Sequence, residues 1–148
     1  MQFVRGDPRD YDNWNLPDWS FEKMLPYFKK LERIDVDAIP SNERFRHADQ
    51  NNGMMDVTML DNANETNQLF IDACVKNGFR FTKDYNSEEN LNGVVGMSQI
   101  STKNGKRWST ASGYLLSAVK RNNLDILIHT HTCRVVFNQE KQVTGKSR

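Results

Sequence analysis

The chain has few of the residues from which several protein classes are built. Two cysteines in 148 residues, Cys74 and Cys133, are too few for a disulfide framework. Each falls in an apolar pattern, which points to a buried free thiol. No run nears the roughly 20 consecutive apolar residues of a membrane-spanning helix, and the charged N-terminus carries no apolar signal segment. Neither sign of charge dominates: 20 basic residues face 19 acidic ones, a formal net charge of +1. That balance removes the basic stripe on which nucleic-acid binding relies. The segment "KNGKRWS" is basic but short and reads as a solvated hairpin turn. The apolar share of 37% and the mean hydropathy of -0.75 are low for a self-sufficient core. Aromatics still make up 10% and are spread along the chain, which argues against disorder. Asn64-Glu65-Thr66 is a formal glycosylation sequon, too common by chance to fix a compartment.

What is present is a mixed α+β pattern with long loops and no regular βαβ alternation. Residues 1–19 look irregular, punctuated by Pro8 and Pro17. Ser20 can cap a helix whose apolar face is Phe21, Met24, Leu25, Phe28 and Leu31. Pro26 falls inside it and predicts a kink or a break. Residues 33–53 are polar and aperiodic, a long loop. "MMDVTML" (54–60) reads as a strand, and residues 65–77 as a helix with Leu69, Phe70, Ala73 and Cys74 inward and Gly78 at its end. "DYNSEENLNG" is another polar loop, "VVGMSQIS" a strand, and Asn104-Gly105 a hairpin turn. Ser109 can cap a short helix with Tyr114, Leu115 and Ala118 inward. "LDILIH" and "CRVVF" read as strands, and the polar end "QEKQVTGKSR" as frayed.

Spacing alone supplies no complete active site. His129, His131 and Cys133 stand at i, i+2 and i+4, one face of a strand, and are of zinc-ligand type. A structural zinc needs a fourth ligand, and no CxxC or HxxxH partner exists, so the weight falls on no metal. Asp7, Asp10 and Asp12 fit turn and capping carboxylates better than a calcium loop, whose glycine and later glutamate are missing. Ser109, Ser112 and His131 form no nucleophile pattern. Gly93-Val94-Val95-Gly96 matches neither G-x-G-x-x-G nor the P-loop.

Five blocks carry a resemblance, in order and at sensible spacing. The first is "MQFVRGDPRDYDNW", where Phe3, Gly6 and Asp12 stand at the closing positions of a known signature. The second is "WSFEKMLPYFKKLE", with its internal Pro26. The third is "RHADQNNGMMDV", a His-Gly pair leading into a strand, with Ala48 in place of the glycine. "GFRFTKDYN" followed by "GVVGMSQIS" is the fourth, and "NGKRWSTASGYLLSAVKRNNLDILIHTHTCRVVF" the fifth. Together they resemble the glucose-methanol-choline (GMC) family of FAD-dependent oxidoreductases, in detail its arthropod glucose dehydrogenase type.

The resemblance implies an α+β fragment containing part of the FAD-binding domain and part of the substrate-binding domain, with long loops. Residues 1–148 are then a partial GMC N-terminal domain. Within it, residues 1–19 are the remnant of a flavin-contacting loop, and residues 33–62 a lid-like loop with a substrate-domain strand. Alignment on Phe3 makes Met1 and Gln2 flavin-contact candidates. It makes Thr132 a main-chain adenine contact on a strand that also holds His129, His131 and Cys133. The implied cofactor is FAD, held weakly or not at all by this segment. The implied partner is a small alcohol or sugar, oxidised at a CH–OH group by hydride transfer to flavin; no nucleic acid or membrane partner is implied. The glycine-rich dinucleotide fingerprint and the family's catalytic histidine pair are not among these residues, so no residue inherits a catalytic role. The expectation is an internal segment, inactive alone, whose Phe3, Tyr11 and Trp14 have partners elsewhere in a larger protein. The alternative is a non-catalytic binding module retaining part of the fold. The compartment stays open, and a secreted parent is compatible with the resemblance.

Overall fold

The computed structural model describes residues 1–34, 47, 53–60, 64–87 and 91–147. It divides into two compact units, Met1–Leu116 and Ser117–Arg148. The elements of the first unit follow local chemistry closely. Strand β1 (Gln2–Phe3) leads into a one-turn helix, α1 (Pro8–Asp12). Asp7 caps that helix by accepting from the Arg9 amide at 2.9 Å, and Pro8 occupies its first turn, where a missing N–H costs nothing. Residues 1–19 are therefore not wholly irregular, as their composition suggested. Asp12 ends the turn and accepts from the Phe21 amide at 3.0 Å, so it caps the next helix from a distance. Both aspartates act as the capping carboxylates expected of them.

Helix α2 (Phe21–Leu31) starts at Ser20, whose hydroxyl accepts from the Lys23 amide at 3.4 Å. It runs through Pro26 without a break. A proline's fixed φ suits the helix, and the lost bond to residue i−4 is a local defect rather than a terminator. Tyr11 packs against Trp14, Phe21 and Phe28, with ring centroids 5.1, 5.8 and 5.9 Å apart. Tyr11 thus has its partners within the chain, contrary to expectation; Trp14 is exposed.

Strand β2 (Glu32–Ile34) pairs in parallel with β3 (Met55–Val57), Glu32 opposite Met55 and Ile34 opposite Val57. Alternation turns Glu32, Ile34, Met55 and Val57 inward. It leaves Arg33 and Asp56 to form a two-pronged ion pair on the outer face, with Nε to Oδ1 at 2.8 Å. Gly53 makes the pairing possible: a Cβ there would lie 1.9 Å from the Glu32 carbonyl oxygen. Ile34 and Val57 form the core, and Phe3 and Met59 pack on it. Phe3, like Tyr11, is therefore engaged in-chain. Of the segment 33–62, only residues 33–34, 47 and 53–60 are described, so the lid-like loop lies largely outside the described residues.

Helix α3 (Glu65–Lys76) is capped by Asn64 and closed by Gly78 at φ 91°, with the Gly78 and Phe79 amides returning to the carbonyls of Val75 and Cys74. Its orientation differs from the periodicity: Ile71 is buried, while Leu69 and Phe70 are 63% and 65% exposed. An apolar stripe shows which face wants cover but not which neighbour supplies it. Strands β4 (Arg80–Phe81) and β5 (Val94–Val95) pair in parallel. "VVGMSQIS" is split, because β6 (Gln99–Ile100) leaves β5 to pair antiparallel with β1. A bridge from Thr58 to Ile100 ties β6 to the end of β3. The expected hairpin joins β7 (Thr102–Lys103) to β8 (Lys106–Arg107), with Asn104 and Gly105 both at positive φ.

The short helix after Ser109 is a π-helical turn, Ala111–Leu115, continued by α4 (Leu116–Ala118). The Ser109 hydroxyl accepts from the Ser112 amide at 3.4 Å. Gly113 rather than Tyr114 is its buried residue, because the turn sits so close that a Cβ at 113 would meet the Met54 carbonyl at 2.3 Å. In the second unit, β9 (Arg134–Phe137) pairs antiparallel with β10 (Val143–Ser147). The polar end is thus a strand rather than frayed, its main-chain groups satisfied by β9. "LDILIH" is not a strand, and "CRVVF" begins as one only at Arg134. Cys74 and Cys133 are free thiols, half-buried and exposed respectively, not buried as their patterns suggested.

Candidate functional site

The segment that opens the chain is fixed from several sides. The Met1 carbonyl accepts from the Ser101 amide at 2.9 Å, and Gln2 and Phe3 pair with Ile100 and Gln99. Asn86 grips the next residues with its side chain: Nδ2 donates to the Phe3 carbonyl at 3.0 Å, and Oδ1 accepts from the Arg5 amide at 2.8 Å. The Arg5 carbonyl accepts from the Tyr11 hydroxyl. Met1 and Gln2 remain exposed at the end of this braced strand.

Beneath that strand lies a buried ionic network that sequence reasoning missed. Arg5 is 3% exposed, and its guanidinium donates from Nη2 to Glu32 Oε2 at 2.6 Å. It also lies over the Phe28 ring, 5.7 Å from the centroid. The other oxygen of Glu32 is 2.7 Å from His47 Nδ1, and His47 Nε2 is 2.5 Å from Asp84 Oδ2. Glu32, His47 and Asp84 are fully buried. The Ser87 hydroxyl donates to Asp84 Oδ2 at 2.5 Å, and Gln99 Nε2 donates to Asp84 Oδ1 at 2.6 Å. The Asn86 amide donates to the same Oδ1 at 3.0 Å, and Asn86 Nδ2 to Gln99 Oε1 at 2.5 Å. A charge buried this deeply is tolerated only when paired and hydrogen-bonded, and here two cations stand against two anions.

The electrostatics follow from that geometry. Burial by itself would push the His47 pKa down, but the hydrogen bonds the ring donates to Asp84 and Glu32, and the charges of those carboxylates, outweigh it, and the net shift is upward. Burial would raise Asp84, yet the His47 hydrogen bond and charge, with help from Ser87 and the Asn86 amide, hold it below the usual carboxylate range. Both ring nitrogens of His47 are engaged by carboxylates. The network is a positioning device. Sequence holds one trace of it: His47, Asp84 and Asn86 all sit in blocks that carry the family resemblance, although their composition is that of polar loop.

The second unit holds the other candidates. Thr132 is exposed and lies outside the β9–β10 ladder. His129, His131 and Cys133 do not share a strand face as expected; they lie in the same non-strand stretch, exposed, with His129 at φ 53°. The intrinsic pull of "LDILIH" toward β structure goes unmet because no ladder forms with it among the described residues. Among the described residues no group of three His, Cys, Asp or Glu side chains is arranged to hold a metal, and no helix is long and apolar enough to cross a membrane. A cleft of about 400 Å³ opens beside Gly53 and Met54, between Tyr27 and Tyr114, and shares no residue with the buried network.

Residues 1–146 match the family model described as GMC oxidoreductase, N-terminal. The chain belongs to the GMC oxidoreductase family. Its curated relatives include the oxygen-dependent choline dehydrogenases of Pseudomonas putida, 35% identical, and Xanthomonas campestris pv. campestris, 34% identical; each match takes in 97% of this chain and 25% of the relative. Among solved structures, the crystal structure of pyridoxine 4-oxidase from Mesorbium loti superposes with a TM-score of 0.76 at 23% identity, covering 99% of this chain and 30% of that one. That likeness establishes the fold. The GMC chain spans about a quarter of the length of the curated relatives it matches.

Proposed function

We propose that this chain is the part of a flavin-dependent alcohol or sugar oxidoreductase that presents the flavin-contact strand and braces it. The observation that carries this reading is the exposed strand end at Met1 and Gln2, held rigid by Asn86 and the network beneath it, in a chain matched over residues 1–146 by the GMC model. Met1, Gln2 and the main chain of Thr132 are the residues assigned to FAD. When bound, FAD would supply the hydride acceptor for a CH–OH donor. The chain's own residues contribute main-chain contacts and position, not acid–base chemistry. Within the family, the wording of the "NGKRWSTASGYLL" block favours a parent of the arthropod glucose dehydrogenase type.

Alone, the chain is expected to be inactive and to hold FAD weakly, since the glycine-rich turn that seats a pyrophosphate is not among its residues. The test is to add FAD to the purified chain, remove free cofactor by gel filtration and record the visible flavin absorbance. Little or no retained flavin is expected; a stoichiometric bound flavin would overturn the claim of weak binding. A second reading is a non-catalytic binding module. The observation favouring it is that Arg5, Glu32, His47 and Asp84 all belong to the first unit.

A further inference from the structure

We propose that His47 is a proton-operated clasp: as an imidazolium bridging Glu32 and Asp84, it locks the Arg5 end of the opening strand to the remainder of the first unit. Such a clasp goes beyond the flavin reading and stands without it, because every group it uses is in this chain.

The geometry requires the proton. Each ring nitrogen faces a carboxylate oxygen, Nδ1 at 2.7 Å from Glu32 and Nε2 at 2.5 Å from Asp84. A neutral imidazole has one N–H and one lone pair. Whichever tautomer it adopted, the lone pair would point at a carboxylate with no proton between them, in a site with no water-exposed surface on any of the three side chains. Only the doubly protonated ring satisfies both contacts. Among the described residues, the charged and polar groups that face His47 are Glu32 on β2, Asp84 and Ser87 around the turn that follows β4, and Arg5 from the strand's end, whose Nη2 lies 3.4 Å from Nδ1. With His47 charged, the two cations balance the two anions. Loss of its proton leaves two buried carboxylates with one arginine. That arginine pairs with Glu32, so Asp84, whose cationic partner among the described residues is His47, is the one stranded.

The consequence is local. Asp84 also orders Asn86 and Gln99, and Asn86 holds the Phe3 carbonyl and the Arg5 amide. Deprotonating His47 should therefore loosen the opening strand before it loosens α3, which packs on β4 and β5 with Ile71 buried. Linkage sets the sign and the window. A histidine whose folded pKa is raised contributes stability that is complete below the ordinary value near 6.5 and is lost as pH rises through the raised value. Across that interval, opening of the strand becomes about tenfold easier per pH unit.

The experiment is a nitrogen-15 NMR titration of the imidazoles in the full 148-residue chain, with amide hydrogen exchange recorded in parallel. The expected result is a His47 signal with both nitrogens still protonated above the ordinary histidine value near 6.5. Exchange at the Arg5 amide, corrected for its intrinsic rise with pH, should then accelerate as His47 titrates, while exchange at Ile71 stays level. Three outcomes overturn the proposal. His47 could titrate at or below the ordinary histidine value. Its ring could carry a single proton at every pH recorded. Or Arg5 and Ile71 could lose protection together. A His47→Gln variant supplies a further check, since its Arg5 exchange should be fast and free of the extra pH dependence. The wild-type titration is decisive by itself, so the proposal stays falsifiable even if that variant does not fold.

Discussion

Asp56 and Asp84 both accept hydrogen bonds from cations, yet they are worth different amounts. Asp56 pairs with Arg33 and, at 3.4 Å, with Lys103 on a part-exposed face, where water competes for every partner. Asp84 is fully buried and serves His47, Ser87, Gln99 and the Asn86 amide. Asp56→Asn is expected to cost under about 1 kcal/mol. Asp84→Asn leaves the imidazolium half-paired in the interior and is expected to cost about 3–5 kcal/mol. Urea denaturation of both variants at about pH 6, where a histidine of raised pKa is protonated, checks the ordering, and equal costs would contradict it. The acid limb has its own sign: a carboxyl held below its ordinary value stabilises the fold above that value and ceases to do so as pH falls through the lowered one. Taken with His47, the network is at full strength between about pH 4 and 6.5. None of this was legible from composition. Arg5, Glu32, His47 and Asp84 look like ordinary surface residues until the fold brings them together, whereas the spacing of His129, His131 and Cys133 suggested a strand face that does not form.

At the scale of elements, local signals carried further. Ser20 and Gly78 marked helix ends because capping is a matter of a few neighbouring atoms. Asn104-Gly105 marked its hairpin because a two-residue turn with positive φ suits few other pairs. What local chemistry could not tell was pairing between distant segments: β1 with β6, β2 with β3, and β4 with β5. Two glycines enforce part of that arrangement. Gly53 lets β3 approach the Glu32 carbonyl, and Gly113 lets the π-helical turn sit on the Met54 carbonyl. Backbone atoms cannot swing aside as side-chain tips do. Gly113→Ala is therefore expected to destabilise by about 1–3 kcal/mol, with Gly145→Ala, where an added Cβ meets nothing within 4 Å, as the mild control. Thermal melts of the two variants provide the comparison.

For the whole molecule, the dominant fact is apolar surface. Among the described residues, Leu69, Phe70, Leu116, Leu127, Ile128 and Phe137 are all exposed. Large exposed apolar area favours association, and the chain spans about a quarter of the length of its curated relatives. As a part of something larger, it should melt broadly and self-associate at micromolar concentration; as an autonomous module, it should melt cooperatively and stay monomeric. Light scattering alongside a thermal scan separates the two. If the first holds, replacing Leu69 and Phe70 by lysine should reduce scattering without lowering the melting midpoint, because neither side chain is buried. The family was readable in the order of five sequence blocks; the exposure of the apolar face of α3 was not, since periodicity ranks faces without naming their neighbours.

The buried network also bears on time. Its contacts join residues 15, 27 and 37 positions apart, and the Asn86 clamp on Arg5 spans 81. Such closures are slow to find and yield nothing until nearly all partners have arrived. The opening strand, made before its partners, would be among the last segments to settle, waiting unpaired until Asp84, Asn86 and Gln99 have been made.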